Sequence, residues 1–312
     1  MDFFDLHCDT ATSAMEKEVD FTNEELHIHY PLNKKIEKHC QCFAIFCPDE
    51  IRGEAAFEYY KRAEQYLSVQ CAKLNNVLEE IKSFTDVLSI VNKNKTAAIL
   101  TVEGGSAING KIENLYCLHN DGVKMMTLTW NGENELGFGS LEQEKGLKPF
   151  GIEVIKEMEK IGMYIDVSHL SDRGFENVAE TVDCPIVASH SNLREICSHR
   201  RNLTDEYFSE IVRRKGIVGI NFYKAFINND PEEAKLSDIA KHIERMLKLG
   251  GKDSICLGSD YDGCDTLDEI KNIDKVENLY NFLIENGFGT ELTDKIFWKN
   301  AYNFFERGYD KK

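Results

Sequence analysis

Eight short, β-prone apolar runs punctuate the 312-residue chain, and stretches with a helical repeat separate most of them. The runs are Phe3–Asp9, Cys42–Phe46, Ala97–Glu103, Val123–Trp130, Met163–His169, Ile186–His190, Ile217–Phe222 and Ile255–Asp260. Near-continuous apolar strands fit a sheet buried on both faces, and strand alternating with helix makes that sheet parallel. Eight such units in this length predict an α/β fold of the (β/α)₈ barrel type, a single domain over residues 1–312. An open dinucleotide-binding sheet loses its main support, because no Gly-x-Gly-x-x-Gly follows the first strand.

Helices are expected at Glu54–Ile81, Gly151–Ile161, Arg173–Thr181, Asp205–Arg214, Ser237–Leu249, Glu277–Glu285 and Thr293–Arg307. Ser237 reads as the cap that opens its helix, and Gly250-Gly251 as the stop that closes it. The stretch from Thr10 to Lys38 is long for a βα loop. Barrels place such loops at the catalytic face, so it is expected to wall a site.

The net charge of −17 argues against a nucleic-acid partner, since phosphate binding needs basic patches and none stands out. No apolar stretch approaches the ~18 residues of a membrane span. No leader pattern precedes Phe3, and the tail Arg-Gly-Tyr-Asp-Lys-Lys has no apolar anchor, so the chain reads as cytoplasmic with no membrane partner. Ten cysteines scattered over so long a chain read as free thiols. Cys8, Cys42 and Cys256 fall in strand runs, and His39-Cys40-Gln41-Cys42 opens a core strand instead of a metal site.

Metal-competent residues gather at the C-terminal ends of the strand runs: His7 and Asp9, Glu103, His169, His190 and Asp260. Singly, each has an ordinary explanation as a surface Glu, a hydrogen-bonded His or a turn Asp. Six at the same end of their strands, on the face where barrels carry chemistry, form a metal site. The donors suit two ions better than one, since a single catalytic zinc takes about three protein ligands. A bridging carboxylate would let two ions share a hydroxide of lowered pKa. Glu103 suits the bridge if Gly104-Gly105 leave space around it, and Asp260 suits the acid/base role.

These residues carry a family resemblance that runs nearly end to end. Its motifs are Asp-Leu-His7-Cys-Asp9, Val-Glu103-Gly-Gly, Leu-Thr-Trp130-Asn, Lys-Pro-Phe-Gly, Asp-Val-Ser-His169, Ser-His190-Ser, Ser-His-Arg-Arg201-Asn, Gly-Ser-Asp260-Tyr-Asp-Gly and Lys-Asn-Ala-Tyr-Asn-Phe-Phe-Glu. The chain resembles the membrane (renal) dipeptidases, zinc peptidases among the amidohydrolase-like barrels. The resemblance implies a dipeptide substrate, L,L or L,D, and two divalent ions, Zn²⁺ by preference. One ion would sit on His7 and Asp9, the other on His169 and His190, with Glu103 bridging and Asp260 as acid/base. Arg201 would grip the substrate carboxylate, and family members are often homodimers. Better-known members carry a histidine where this chain has Trp130, so a substrate contact by Trp130 is an expectation of its own. The alternatives are a barrel hydrolase of lactams, lactones or N-acyl amino acids, and a non-catalytic barrel protein.

Overall fold

The computed structural model describes residues 1–32 and 35–308. Its nine strands are β1 (Asp2–Cys8), β2 (Lys38–Phe46), β3 (Leu78–Glu80), β4 (Thr96–Glu103), β5 (Met125–Thr127), β6 (Tyr164–Asp166), β7 (Ile186–Ala188), β8 (Ile217–Ile220) and β9 (Ile255–Leu257). All pairings between them are parallel. Because β2 pairs with β4 and β1 with β9, eight strands close into a barrel. Helices lie between successive strands, as in a (β/α)₈ fold.

β3 is outside the barrel wall and was not expected. It pairs only with the start of β4, Leu78 opposite Thr96, below the stretch of β4 that pairs with β5. Its residues fall inside the predicted helix Glu54–Ile81, which in fact stops at Lys73. Leu78 and Ile81 are buried, so apolar positions read as a helical face serve a short strand instead.

One buried cluster takes residues from all eight wall strands: Phe4, Leu6, Cys40, Cys42, Ala97, Ile99, Met125, Tyr164, Val187, Ile217 and Cys256. This is the barrel interior. Trp298, Ala301, Phe304 and Phe305 join it from the last helical segment and plug the N-terminal end. The alternate residues, such as Phe43, Ile45, Ala98, Leu100 and Val102, belong to the larger layer between sheet and helices. No disulfide forms among the described residues, and Cys40, Cys42 and Cys256 pack inside the barrel as small apolar groups. His39 is buried too, its Nδ1 3.0 Å from Thr96 Oγ1.

Several boundaries differ from the sequence reading. Thr10–Lys17 is a helix inside the supposed loop Thr10–Lys38, of which Asn33 and Lys34 lie outside the described residues. The helix expected from Ser237 runs Leu236–Lys248 and is capped by Asp238, whose carboxylate accepts the Lys235 N–H at 3.2 Å. Gly250 does close it, at φ 88°. The expected Thr293–Arg307 helix is three pieces, Gly289–Asp294, a wider π turn Lys295–Lys299 and Asn300–Arg307. No described helix is long and apolar enough to cross a membrane, and of the polar tail Tyr309–Lys312 lie outside the described residues.

Candidate metal centre

Each expected ligand lies at the C-terminal mouth of the barrel, but mostly just past the paired strand rather than on it. Pairing ends at Asp166, Ala188 and Leu257, so His169, His190 and Asp260 stand two or three residues beyond. His169 and Asp260 hold left-handed backbone, φ 67° and 61°, as does Asp262 at 66°. Such a conformation costs a β-substituted residue about 1–3 kcal/mol, and it persists where surrounding bonds fix it. Glu103 shares its face of β4 with Ala97 and Ile99 and therefore points inward. Strict alternation would turn His7 outward, opposite Leu6. The register between β1 and β2 shifts between Asp5 and Cys8, the stretch that contains His7.

Asp9 occupies the N-cap position of the helix Thr10–Lys17, where an aspartate ordinarily caps, yet it makes no cap bond. Its Oδ2 lies 3.5 Å from His7 Nε2, and its buried Oδ1 has no hydrogen-bond partner among the described residues. Glu103 Oε2 lies 3.5 Å from His7 Nε2, while Oε1 lies 2.8 Å from His169 Nε2 and 3.4 Å from His190 Nε2. Asp260 Oδ1 is 4.0 Å from His7 Nε2. The six expected metal and acid/base residues therefore converge, all of them buried.

The donor set fits divalent cations. His169 Nδ1 faces the Asn131 side-chain oxygen at 2.9 Å and His190 Nδ1 faces Ser189 Oγ at 2.7 Å. With Nδ1 carrying the proton in each ring, both Nε2 lone pairs point at one spot, 2.9 Å from each other. Lone pairs so placed repel unless a cation lies between them. His7 Nε2 likewise has no hydrogen-bond partner among the described residues.

Electrostatics agree. Burial, with Arg201 nearby, lowers the His169 pKa to about 4, so the ring stays neutral and able to ligate. Burial and the charge of His7 push His190 down as well. Burial alone would depress His7, but Glu103 and Asp9 outweigh it and drive its pKa well above the ordinary value. Burial would raise Glu103, but His169 and His7 hold it well below the ordinary range. Burial and the charge of Glu103 raise Asp9 to about 7. Carboxylates that favour a proton on His7 favour a dication there more strongly.

Sequence reasoning assigned space beside Glu103 to Gly104-Gly105, and the structure corrects this. A Cβ on Gly104 would lie 2.9 Å from Cys47 O, and one on Gly105 would lie 2.3 Å from Leu136 Cδ1, so these glycines let the loop pack tightly. The glycine that makes room at the site is Gly263, where a Cβ would lie 2.0 Å from Asp9 Oδ2 and 2.6 Å from Asp260 Oδ1. Asn131 and Asn221 were also missed. Asn221 Nδ2 donates to Asp260 Oδ2 at 3.0 Å. Asn221 directly follows β8 and Asn131 lies four residues past β5, positions that could have flagged them.

A cleft of about 780 Å³ opens over these residues. Thr12, Glu16 and His27 line it, so the Thr10–Lys38 stretch does wall the site. Trp130 also lines it, its ring 5.1 Å from Phe46 and 6.2 Å from His169. Arg201 is buried, Nη2 donating to His190 O at 3.3 Å and Nε without a hydrogen-bond partner among the described residues.

A model of the membrane dipeptidase family (peptidase family M19) matches residues 1–308. The chain is similar to an uncharacterized protein of the pqqA 5′ region of Klebsiella pneumoniae, 33% identical over 65% of this chain and 79% of the relative. The dipeptidase tcpJ of Claviceps purpurea is 29% identical over 69% of this chain, and the match spans about half of that longer relative, 52%. Among solved structures, the dipeptidase AC, a family M19 metallo peptidase, superposes with a TM-score of 0.93 at 24% identity over 99% of both chains. A metallo peptidase from Rhodobacter sphaeroides, liganded with a phosphinate mimic of L-Ala-D-Ala, does so equally at 0.93, 23% identity and 99% of both chains. The chain belongs to the membrane dipeptidase family, peptidase family M19, and is a metal-dependent hydrolase of dipeptides.

Proposed function

We propose that the site cleaves free dipeptides with two divalent ions, zinc by choice of donors, held by His7 and Asp9 on one side and by His169 and His190 on the other. The observation that carries this reading is the divided carboxylate of Glu103, Oε2 toward His7 at 3.5 Å and Oε1 toward His169 at 2.8 Å. One residue thus serves both halves. Imidazole with carboxylate is a donor set that suits zinc. When bound, such ions supply positive charge for a carbonyl oxygen and acidify water.

The chain's own residues do the rest. Arg201 lies buried beside the cleft, its guanidinium 5.3 Å from the ring of the cleft-lining Phe226, and its planar donors match the carboxylate at a dipeptide's C-terminus. Burial lowers its pKa to about 10, which leaves it charged at neutral pH. Asp260, raised by burial and held by Asn221, keeps Oδ1 free to take a proton from water and return it to the leaving amine. Trp130 offers an apolar wall with an N–H on its edge, toward the substrate carbonyl. Tolerance of a D-residue at the C-terminal position is part of this reading. The L-Ala-D-Ala mimic held by the Rhodobacter sphaeroides metallo peptidase supports it. Ten free cysteines support a reducing, cytoplasmic location, and family analogy supports a homodimer.

Metal analysis tests the core of the proposal. Purified protein should bind up to two divalent ions per chain, and Glu103→Gln should weaken both sites and lose activity. A Glu103→Gln protein that keeps two ions and full turnover would refute the assignment.

A further inference from the structure

Two carboxylates buried beneath the site, Asp5 and Asp166, do not line the cleft, yet they share three bonds of the same kind, to which Asp166 Oδ2 adds the Thr127 hydroxyl at 2.6 Å. Asp5 Oδ1 accepts the N–H of His7 at 3.3 Å and of Ser259 at 2.8 Å, and Oδ2 accepts the Ser259 hydroxyl at 2.6 Å. Asp166 Oδ1 accepts the N–H of Ser168 at 3.0 Å and of Ser189 at 2.9 Å, and Oδ2 accepts the Ser189 hydroxyl at 2.5 Å. The register matches too. Asp5 pairs with Leu257 and Asp166 with Val187, each two residues before the serine it holds. The residue after each serine is Asp260 or His190, and the residue two or three past each aspartate is His7 or His169.

We propose that Asp5–Ser259 and Asp166–Ser189 are twin clamps whose task is to position Asp260 and His190, with Asp5 and Asp166 as positioning residues. The inference rests on the roles given above to Asp260 and His190. The two clamps differ in what the serine does next. Ser189 spends its hydroxyl proton on Asp166, so its oxygen is left to accept from His190 Nδ1 at 2.7 Å. That bond fixes the tautomer with the lone pair on Nε2, the atom aimed at the metal. The Ser189 carbonyl is also wedged, because a Cβ on Gly219 or Gly258 would lie 2.0 or 1.8 Å from it. Ser259 Oγ instead accepts the Tyr261 N–H at 3.1 Å and so brackets Asp260, which holds φ 61°. No side-chain bond joins Ser259 to Asp260 among the described residues, so this clamp acts through the backbone.

The difference predicts a split. Ser189→Ala should weaken zinc binding about 10- to 100-fold, the usual effect of losing the partner of a ligand histidine. Ser259→Ala should leave zinc affinity near wild type and lower kcat about tenfold or more, with KM steady, by letting Asp260 drift. Zinc affinity is read by competition with a chromophoric chelator, kcat and KM on a dipeptide, and melting temperature on each variant. Both substitutions remove one buried hydroxyl, so their melting shifts should be similar. Ser189→Thr, which keeps the hydroxyl, should restore zinc affinity. A purely structural role would lower zinc affinity and kcat together, in step with melting temperature. That result, or wild-type values for both alanine variants, would overturn the clamps. Asp260→Asn run alongside separates the two readings. Normal turnover there would refute the acid/base role itself, while slow turnover with an unaffected Ser259→Ala would refute only the clamp.

Discussion

At the scale of single residues, Trp130 gives the sharpest test of how a substrate carbonyl would be met. It stands half-buried on the cleft wall against Phe46, and its Nε1–H has no hydrogen-bond partner among the described residues. An indole donates but carries no charge, so it would steady a developing oxyanion without titrating. Trp130→Phe keeps most of the wall and deletes the donor. It should lower kcat roughly ten- to a hundredfold with KM about steady, as for a bond made mainly in the transition state. Wild-type kcat would leave Trp130 as wall only. Arg201 gives a second expectation. If its spare donors hold a terminal carboxylate, amidating that carboxylate should cost roughly tenfold or more in kcat/KM, as charge-assisted bonds contribute about 1.5–3 kcal/mol. Equal cleavage of a dipeptide and its amide would remove Arg201 from that role.

At the scale of elements, the loop that follows β7 carries both His190 and Arg201, and it is held from behind by the helix Leu236–Lys248. His242 on that helix accepts the Leu193 N–H on Nδ1 at 3.1 Å, while Nε2 donates to Ile227 O at 3.0 Å. Only the neutral ring can do both. Burial lowers its pKa from 6.5 to about 4 despite the Ile227 carbonyl. The unfolded chain therefore binds the extra proton first. The stability this residue contributes is whole above pH 6.5 and is lost as pH falls toward 4. One pKa unit is about 1.4 kcal/mol, so the loss should reach a few kcal/mol. In urea titrations with chelator present, wild type should lose more stability over that window than His242→Gln. Parallel profiles would sink the assignment. Sequence alone gave no hint of this histidine, since its partners come from two other segments. What was legible at this scale was strand identity, because eight wall strands bury both faces and read as apolar runs. The end of each strand was not legible. Val167, His169 and His190 look strand-like, but pairing stops where hydrogen bonds pass to side chains such as Asp166. β3 was hidden because three residues are too few to show a period of two against the helix before them.

At the scale of the molecule, the barrel has one dry end and one charged end. Phe4, Trp298 and Phe305 close the bottom, while the top collects His7, Asp9, Glu103, His169, His190 and Asp260. The ligands were legible because their chemistry is unusual at the end of an apolar run. Their support by Asn131, Asn221 and Gly263 was not, because those residues matter only through contacts across the mouth. So many acceptors at one mouth repel one another, and bound cations would relieve that repulsion and tie β1, β4 and the segments after β6 and β7 together. Metal bound only to the folded chain should raise stability by RT ln(1 + [L]/Kd), about 4 kcal/mol per site at a thousandfold excess over Kd. With an unfolding entropy of about 2 cal/mol/K per residue, a chain of this size should melt roughly 5–10 °C higher for each site filled. Melts of chelator-stripped protein against a zinc titration read this directly. Glu103→Gln should flatten the response at both sites, since its two oxygens face different halves. A melting temperature indifferent to zinc in the wild type would mean that the converging donors hold no metal at all.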